Sequence, residues 1–509
     1  MIGFLSLFLV LFSFHTIDLS TADIGRHITN GKIFLHSAEY GISKSDILYT
    51  NLFSYTHPTF PFINHHWGSS VAIYLIFQVL GFSGLSLVYF LFILGAFIFA
   101  ITTIKNDSDL SSIFFIGIFL APLIAGRIEV RPEGLSYLFL SIFLYILYRY
   151  SKNRISHKTL WILPVLELVW VNSHIYFIFG IFLIGLFFAE ALILRQTEKA
   201  KKLGTVLGAS IIATLITPYG YKGLLYPFTI FQNYGYRIVE NQSISFLEHL
   251  SFTNPEFLWY KITLVLIIIS SGVVLYKERK NFSISLSVLV LTFAFLGYFG
   301  IRYILLFALF SLPLLAINFG IIKKTFYREI DDDLKNVLYG IIFFFILGVT
   351  LFQFSSKLPW NRDFGLGIIS EELSSIAFIK NTGIHGPFFN NYDIGGLMIF
   401  GLFPKEKVFV DNRPEAYPKE FFQNTYIPMQ ENDIVWQQEL AREKFNAIFF
   451  YRLDYTPWAQ KFLITRVSDP AWAPVYVDSW TIIFLRRNEE NKKIIEKYEL
   501  PKEMFTTNR

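Results

Sequence analysis

The most regular feature of the chain is a series of long apolar stretches that alternate with short polar segments up to about residue 354. A helix needs roughly 20 apolar residues to cross a bilayer, and on this basis we predict eleven spans. They lie at about residues 2–17, 82–104, 111–126, 134–150, 159–173, 175–194, 203–217, 257–276, 283–300, 303–322 and 336–354. The pattern therefore predicts a polytopic α-helical membrane protein with about eleven transmembrane helices.

Two apolar segments allow a second interpretation. The first stretch resembles the apolar part of a secretory signal, but no basic residue precedes it and no clear small-residue cleavage site follows, so we interpret it as a retained span. The segment 68–80 is short, follows a polar loop and ends at Gly81, which favours a helix lying in the membrane interface. If this segment crossed the bilayer, the orientation of every later span would be inverted.

From Ser355 the composition changes, because the apolar runs become short and Pro, Asn, Asp and Trp become frequent. Four runs predict strands, at residues 408–410, 447–450, 475–477 and 481–484, and three segments predict helices, at residues 371–380, 436–444 and 458–465. We therefore divide the chain into a transmembrane domain, residues 1–354, with a large first outer loop at about residues 18–68, and an α/β domain, residues 355–509.

The basic residues predict the orientation of the spans, because Lys and Arg are retained in short cytoplasmic loops. Sixteen of them fall in one set of loops and nine in the opposite set, although the opposite set contains the two longest loops. The first set is therefore predicted to be cytoplasmic. An odd number of spans then places the N-terminus in the cytoplasm and the α/β domain outside, in a multi-pass protein of the plasma membrane.

Composition and charge exclude several classes of function. Hydrophobic residues make up 53% of the 509 residues, and charged residues only 16%. Cysteine is absent, which excludes disulfides, thiolate metal sites and a cysteine nucleophile. The net charge of +5 is small and is spread over many loops instead of forming one basic patch, so nucleic acid is not an expected partner.

Titratable side chains are concentrated in the predicted outer loops. Nine of the ten histidines lie there or at the boundary, and ionisable groups at a membrane boundary are costly unless they pair or face water. The candidates on this side include Asp23, His27, Asp46, His65, His66, Arg127, Glu129, Arg131, Glu133, His174, Glu240 and Arg302. Their concentration on one face predicts a functional site.

Several of these residues have a structural as well as a functional interpretation. Asp23, His27 and Gly31 are spaced by four and share one face of a helix, where Asp23 acts either in chemistry or only as a cap or salt-bridge partner. The four charged residues of segment 127–133 either neutralise one another or hold an anion. Arg302 interrupts a long apolar run beside the outer boundary, where an arginine needs a phosphate, a carboxylate or water as its partner.

The types of residue on the outer side indicate a class of chemistry. Several arginines in an outward-facing cavity suit a lipid-linked phosphate or pyrophosphate, and a nearby carboxylate suits a general base that removes a proton from a hydroxyl acceptor. The sequence has no glycine-rich phosphate loop of the nucleotide type. A lipid-linked donor is therefore more consistent with this inventory than a nucleotide donor.

Several short motifs follow one another in a fixed order on the predicted outer side. They are Asp23-Ile-Gly-Arg-His27, Asp46, Phe53-Ser-Tyr-Thr56, Asn64-His-His-Trp67, Arg131-Pro-Glu133, Trp170-Val-Asn-Ser-His174, Thr217-Pro-Tyr-Gly220 and Glu240-Asn-Gln-Ser243. In order and sidedness they resemble the membrane-embedded GT-C glycosyltransferases, and among these the bacterial mannosyltransferase-like proteins and lipid A sugar transferases. The resemblance covers about residues 1–325.

The resemblance implies an inverting transfer of a hexosyl or pentosyl group from a polyprenyl-phosphate-linked donor to a glycan, lipid or protein acceptor. Asp23 matches the position of the base, but it is followed by Ile24 where the family often has a second acidic residue, so Asp46 and His65 stay as further catalytic candidates. A divalent cation, Mg²⁺ or Mn²⁺, is left open, with Asp23, Asp46 and His65 as its ligands. The donor-phosphate candidates are Arg127, Arg131, His174 and Arg302, and the acceptor- or substrate-positioning candidates are His27, His66, Glu240 and Asp393.

Two polar clusters stand out in the tail. The segment 390–396, which contains Asp393, is rich in turn residues and opens a predicted helix, and the segment 411–415 follows a predicted strand. The first cluster faintly resembles the WWDYG acceptor-binding motif of the oligosaccharyltransferase catalytic subunit, but it lacks both tryptophans. We therefore assign no peptide recognition to it, and an N-cap or a turn is the alternative interpretation of both clusters.

Two other classes of function are compatible with the same topology. A transporter or flippase of lipid-linked saccharides predicts polar residues in mid-span and broken helices in paired halves. A non-catalytic membrane scaffold predicts that replacement of Asp23 by Asn leaves function intact, whereas an enzyme would lose turnover.

Overall fold

Each of the eleven predicted apolar stretches coincides with a helix in the computed structural model, which describes residues 2–127, 129–230, 232–326, 332–357 and 364–505. Helices are numbered in chain order throughout. The eleven are α1 (Ile2–Ser13), α4 (Trp67–Ile104), α5 (Leu110–Ile124), α6 (Glu133–Ser151), α7 (Ile162–Val171), α8 (Phe177–Ile193), α9 (Thr197–Ala213), α12 (Pro255–Lys277), α13 (Ile284–Phe299), α14 (Ile304–Phe326) and α15 (Asp332–Gln353).

Three helices in the described part of the chain are long and apolar enough to cross a membrane, judged by length and composition. They are Trp67–Ile104, Pro255–Lys277 and Ile301–Thr325, and five shorter helices are also apolar. The predicted helical membrane architecture is therefore confirmed. The number of eleven crossings stays a prediction.

The first predicted outer loop contains two short helices, α2 (Ile24–Leu35) and α3 (Lys44–Tyr49). The Oγ of Ser43 caps α3 by accepting a hydrogen bond from the backbone N of Asp46 at 3.0 Å. Helix α4 follows and is broken at Gly81, whose φ of 62° lies in the left-handed region that favours glycine. The predicted end of the segment 68–80 at Gly81 is therefore confirmed, and its position in the membrane interface stays a prediction.

The segment between α9 and α12 has little regular structure. It contains α10 (Tyr221–Leu225) and α11 (Ile244–His249), together with three-residue 3₁₀ turns at Tyr226–Phe228 and Val239–Asn241. The second of these turns carries Glu240.

The tail forms a small α/β domain with four strands, β1 (Phe388–Asn390), β2 (Ala447–Tyr451), β3 (Trp472–Val477) and β4 (Thr481–Arg486). The sheet order is β1-β2-β4-β3, in which β1 and β2 are parallel and the other pairs are antiparallel. The helices are α16 (Ser374–Thr382), α17 (Gly395–Leu402), α18 (Pro428–Glu431), α19 (Asp433–Glu443), α20 (Pro457–Ser468) and α21 (Lys492–Tyr498).

Three of the four predicted strands fall within β2, β3 and β4, and the three predicted helices fall at α16, α19 and α20. The predicted strand at 408–410 is wrong. Val408 forms an isolated bridge to Ser54 of the first loop, so this apolar run pairs with the other part of the molecule instead of with the sheet. The short strand β1 was not predicted, because three residues give too weak a period.

Helix α2 is packed between α4 and α17. A Cβ on Gly31 would lie 2.0 Å from the carbonyl oxygen of Ser70, and a Cβ on Gly25 would lie 2.8 Å from that of Gly396. Only glycine allows these approaches. The first loop therefore joins the membrane helices to the tail domain, and the division at residue 354 stays a prediction.

Candidate active site

The carboxylate of Asp23, which precedes α2, is held by side chains of that helix. Arg26 Nη2 donates to Asp23 Oδ2 at 3.1 Å, and His27 Nε2 lies 3.4 Å from the same oxygen. Asp23 makes no side-chain capping hydrogen bond, so the cap interpretation is not supported. Its Oδ1 lies 3.9 Å from Arg131 Nε and accepts no hydrogen bond from the described residues. One oxygen of Asp23 is therefore fixed, and the other lacks a donor.

A line of hydrogen bonds orients His27 toward Asp23. Asn30 Nδ2 donates to Ser70 Oγ at 3.3 Å, and Ser70 Oγ lies 2.9 Å from His27 Nδ1. Arg26 Nη2 also donates to His27 Nε2 at 3.3 Å. Since a guanidinium has no acceptor, Nε2 accepts this hydrogen bond, and the proton of the neutral imidazole is then on Nδ1 and is donated to Ser70 Oγ.

Three arginines converge on Glu240. Arg127 and Arg131 belong to the segment between α5 and α6, and Arg302 belongs to a 3₁₀ turn just before α14. Arg131 Nη1 donates to both oxygens of Glu240, at 2.8 and 3.0 Å. Arg127 Nη2 and Arg302 Nη2 each lie 3.3 Å from one of these oxygens. Such charge-assisted contacts are the geometry in which arginine binds carboxylates and phosphates.

The same arginines contact further carboxylates, so the cluster is close to neutral. Arg131 pairs with Glu129, and Arg127 Nη2 lies 2.5 Å from Glu133 Oε1. Together with Arg26 and Asp23, four arginines face four carboxylates. The interpretation that the charges of segment 127–133 neutralise one another is therefore correct in part, because they are also neutralised by Glu240 and Asp23.

The pairing fixes the ionisation of the cluster. Burial opposes charge on Asp23, but His27, Arg131 and Arg26 together hold the pKa of its carboxyl far below the usual range. Burial likewise opposes charge on Glu240, and the three arginines lower the pKa of that carboxyl. The neighbouring carboxylates raise the pKa of Arg131 although burial would lower it. Asp23 is therefore an ionised carboxylate at neutral pH.

Four histidines form a row beside the cluster. The ring of His66 lies 5.2 Å from His27, 3.8 Å from His65 and 5.2 Å from His174. Burial and the charge of Arg26 lower the pKa of His27 to about 4, and burial lowers that of His65 to about 3. Burial also lowers the pKa values of His66 and His174. The row is neutral at neutral pH and offers hydrogen bonds instead of positive charge.

His174, a predicted donor-phosphate contact, has its direct contacts with Ser136 and Tyr176, although the charges of Arg302 and Arg127 also act on its ring. Its Nδ1 lies 2.9 Å from Ser136 Oγ, and its ring packs on Tyr176 at 4.4 Å. As a neutral, buried ring it has no charge to offer a phosphate.

Asp46 is not brought to Asp23. It is an exposed residue in the first turn of α3, and the hydrogen bonds described for it use its main-chain atoms. Among the described residues no group of three His, Asp or Glu is arranged to hold a metal ion. The carboxylates at the cluster are paired with arginines instead. The set Asp23, Asp46 and His65 therefore does not fit a divalent cation.

The tail domain reaches the cluster through two residues. Asn412 Oδ1 accepts a hydrogen bond from Arg26 Nε at 3.3 Å. Asp393 lies just before α17, where burial and the nearby carboxylates of Asp454 and Asp18 raise its pKa to about 7. Asp393 therefore lies near other carboxylates, and no contact between it and the arginines is found among the described residues.

Three residues of the site were not predicted from the sequence. Asn30 lies one turn beyond His27 on the same face of α2, so the helical spacing could have identified it. Ser70 comes from a distant segment that no local pattern marks, whereas Asn412 lies in the polar cluster 411–415, which the sequence singled out without connecting it to this site. The candidates Asp23, His27, Arg127, Arg131, Glu240 and Arg302 are brought together, with His65 and His66 beside them.

A separate cavity of about 370 Å³ lies on the other face of α2. Its walls combine polar Lys32 and Gln78 with apolar Phe77, Phe400 and Phe403. Since α2 turns by about 100° per residue, Lys32 and Asp23 point in opposite directions. The cavity is therefore not part of the Asp23 site.

Comparisons with known proteins identify the fold. No family model matches the sequence, and no curated protein matches it. Among solved structures, the oligosaccharyltransferase AglB from the archaeon Archaeoglobus fulgidus, in complex with an inhibitory peptide and a dolichol-phosphate, superposes with a TM-score of 0.60 at 11% identity. The match covers 96% of this chain and 74% of that chain.

Two further structures of the A. fulgidus oligosaccharyltransferase give similar matches. The apo form has a TM-score of 0.60 at 10% identity, with the same coverage of both chains. The complex with Zn and sulfate has a TM-score of 0.53 at 11% identity, and covers 95% of this chain and 73% of that chain. The chain therefore has the fold of the A. fulgidus oligosaccharyltransferase, and the predicted resemblance to membrane glycosyltransferases is confirmed at the level of the fold.

Proposed function

We propose that the protein is an integral membrane glycosyltransferase that moves a sugar from a polyprenyl-phosphate-linked donor to an acceptor at the outer face of the plasma membrane. The observation that carries this proposal is the state of Asp23, an ionised carboxylate with one oxygen that lacks a donor, 3.9 Å from the arginine that holds Glu240. A base beside a phosphate-binding group is what the transfer needs.

In the proposed reaction the acceptor hydroxyl attacks C1 of the sugar from the face opposite the phosphate. Its proton passes to Asp23 Oδ1, and the bond from C1 to the phosphate oxygen breaks with its electron pair on the leaving polyprenyl phosphate. A single displacement of this kind inverts the configuration at C1. Arg127, Arg131 and Arg302 stabilise the negative charge that grows on the phosphate as the bond breaks.

The remaining residues position these groups. His27 Nε2 lies 3.4 Å from Asp23 Oδ2 and leaves Oδ1 toward the acceptor, and Ser70 holds the ring of His27 by a hydrogen bond to Nδ1. His66 and His65 continue the wall of the site as neutral hydrogen-bonding rings. Asp393, which the tail domain contributes just before α17, is the further candidate for positioning the acceptor.

The complexes of the fold relative support the choice of substrates. The A. fulgidus enzyme is described in complex with a dolichol-phosphate and an inhibitory peptide. The dolichol-phosphate supports a lipid-phosphate donor for this chain, and the acceptor is a glycan, lipid or protein. The predicted orientation, with the N-terminus in the cytoplasm and the tail domain outside, places the arginine cluster where such a donor is presented.

One observation favours a transporter of lipid-linked saccharides as the second candidate. Glu167 lies within α7, is fully buried, and its two carboxylate oxygens have no hydrogen-bond partner among the described residues. Charged groups inside spans mark transport pathways in many transporters. A transporter would move labelled saccharide across a vesicle membrane without forming a new glycosidic bond.

The test is transfer of radiolabelled sugar from a panel of polyprenyl-phosphate sugars by the purified protein in lipid. Asp23→Asn should lower turnover about 10²–10⁴-fold, the usual contribution of a general base. Glu39→Gln is the matched control, because Glu39 is an exposed carboxylate of the same loop that pairs with His36. Turnover that survives in Asp23→Asn, or that is lost in Asp46→Asn instead, would remove Asp23 as the base.

A chelator added to the same assay tests the cation that the sequence left open. Loss of turnover with chelator would show that a divalent ion binds the carboxylates that are paired with arginines in this structure. Absence of turnover with every donor, together with movement of labelled lipid across vesicles, would favour the transporter.

A further inference from the structure

Glu240 occupies the centre of the arginine cluster, and its contacts are those of a bound anion. It receives three guanidinium groups that come from two other segments of the chain. The side chains of Arg127, Arg131 and Arg302 are 15%, 21% and 18% exposed, so the cluster is screened from bulk solvent but within reach of a ligand. Arg127 and Arg131 also pair with Glu133 and Glu129, so Glu240 is the carboxylate that all three arginines share.

A phosphodiester matches Glu240 in charge and in the number of free oxygens. The donor of the proposed function carries one negative charge on two non-bridging oxygens, so its exchange for Glu240 would keep the cluster neutral. When the bond to the sugar breaks, the phosphate becomes a monoester with a charge of about −1.5 to −2. Three arginines then stabilise the product more strongly than the substrate, which favours the reaction.

Glu240 lies on a short segment outside the long helices, in a three-residue 3₁₀ turn whose residues stay partly exposed. A main-chain hydrogen bond joins the residue after this turn to the turn of Arg302, from Ile301 N to Gln242 O at 3.3 Å. The main chain of Arg127 accepts a hydrogen bond from Tyr89 of α4, and that of Arg131 accepts one from Gly134 of α6. These two arginines are therefore fixed to long helices, whereas Glu240 is carried by a turn.

We infer that Glu240 is an internal counter-ion that the donor phosphate displaces from the three arginines. Glu240 keeps the arginines charged and in position until the donor binds, and then competes with the phosphate for them. This inference rests on the proposed function, because it takes a lipid phosphate as the ligand. It differs from a purely organising role, in which Glu240 would stay in place and help to hold the phosphate.

The experiment measures binding of geranyl phosphate, a short prenyl monophosphate, to the full-length protein in nanodiscs, with geraniol as the uncharged control. Glu240→Gln keeps the size of the side chain and removes its charge. We expect this variant to bind geranyl phosphate roughly tenfold more tightly than wild type, with no change for geraniol. Glu248→Gln is the matched control, because Glu248 lies in the same segment and pairs with Lys261 instead.

Arg131→Gln separates this inference from the proposed function. If wild type binds geranyl phosphate, Arg131→Gln does not, and Glu240→Gln binds more weakly or equally, the phosphate site stands and the displacement is wrong. If neither wild type nor Glu240→Gln distinguishes geranyl phosphate from geraniol, both the site and the displacement are wrong. A melting temperature of each variant within a few degrees of wild type confirms that the comparison is made on folded protein.

Discussion

Two aspartate–arginine pairs of this protein have opposite environments. In the tail domain, Arg413 Nε and Nη2 donate to the two oxygens of Asp411 at 2.7 and 2.6 Å. Nη2 also donates to Asn51 of the first loop at 2.7 Å, and the guanidinium lies over the rings of Phe53 and Phe62. Arg413 is 5% exposed and Asp411 is fully buried.

At the candidate active site, Asp23 and Arg131 face each other at 3.9 Å and are 18% and 21% exposed. Neither Asp23 Oδ1 nor Arg131 Nε has a hydrogen-bond partner among the described residues. Buried polar atoms are normally paired, and those that are not call for an explanation.

The same two residue types therefore have different roles, depending on whether their remaining hydrogen bonds are satisfied or left open. The pair in the tail domain is complete and joins that domain to the first loop, so its role is structural. The pair at the candidate active site is incomplete, and we propose that it keeps charge available for a ligand.

The largest effect is expected for Arg131→Gln, which removes the partner of Asp23 and Glu240. Transfer should fall about 10²–10³-fold, because the variant removes one of the three charges proposed to stabilise the leaving phosphate. Transfer by the purified protein in lipid checks the prediction, with Arg131→Lys as the variant that keeps the charge. Unchanged transfer in Arg131→Gln would contradict it.

Breaking the complete pair of Asp411 and Arg413 should lower the stability of the protein. Arg413→Ala leaves Asp411 buried and unpaired, which should cost about 3–5 kcal/mol in free energy of unfolding. The melting temperature of the protein in lipid measures this effect. Arg442→Ala is the control, because Arg442 is exposed and its ion pairs in the described part of the chain are with Glu439 and Glu443 of its own helix. An Arg413→Ala variant as stable as this control would show that the pair is not structural.

Removal of the Ser70 hydroxyl, which orients His27, should lower catalysis less than Arg131→Gln does. Ser70→Ala should lower kcat roughly tenfold with little change in KM, since it loosens the hydrogen bond that aims His27 at Asp23. Ser69→Ala is a matched control, because the Ser69 hydroxyl donates to the carbonyl of Ser173 and not to this line. A change in KM alone would mean that Ser70 contributes to binding instead.

The smallest effect concerns Asp393, whose pKa is raised to about 7 in the fold. A raised pKa means that the folded state binds the proton more tightly than the unfolded chain, so stability is lost as the pH rises through 7. Asp393→Asn should therefore raise the melting temperature at pH 8 and change it little at pH 4. Glu420→Gln, an exposed carboxyl of the same domain, should have no such pH dependence. An equal shift at both pH values would be inconsistent with a raised pKa.

Much of the architecture could be predicted because burial in a bilayer acts on local sequence. Every predicted apolar stretch falls on a helix, since twenty apolar residues in a row have few other stable conformations in lipid. The tail was harder, and the run 408–410 was assigned to a strand because its apolar residues fit one. Its true partner, Ser54, lies more than 350 residues away in the chain.

The sequence identified many of the residues of the candidate site, but not which of them contact each other. Charged residues beside a membrane must have partners, so Arg127, Arg131, Glu240 and Arg302 could be selected from the sequence. Which carboxylate meets which arginine depends on the positions of separate segments. For the same reason Asp46 was selected together with Asp23, although in the structure Asp46 is an exposed residue of a different helix, α3.

The sequence by itself determined the helical membrane architecture, the small α/β tail and the concentration of ionisable groups in one set of loops, because hydropathy and charge act residue by residue. Only the tertiary structure decided that α2 is packed between α4 and α17, that Ser70 orients His27, and that Glu240 stands at the centre of three arginines. These contacts join segments far apart in the chain. Their energies depend on distances of 3 to 4 Å, which no local pattern of residues encodes.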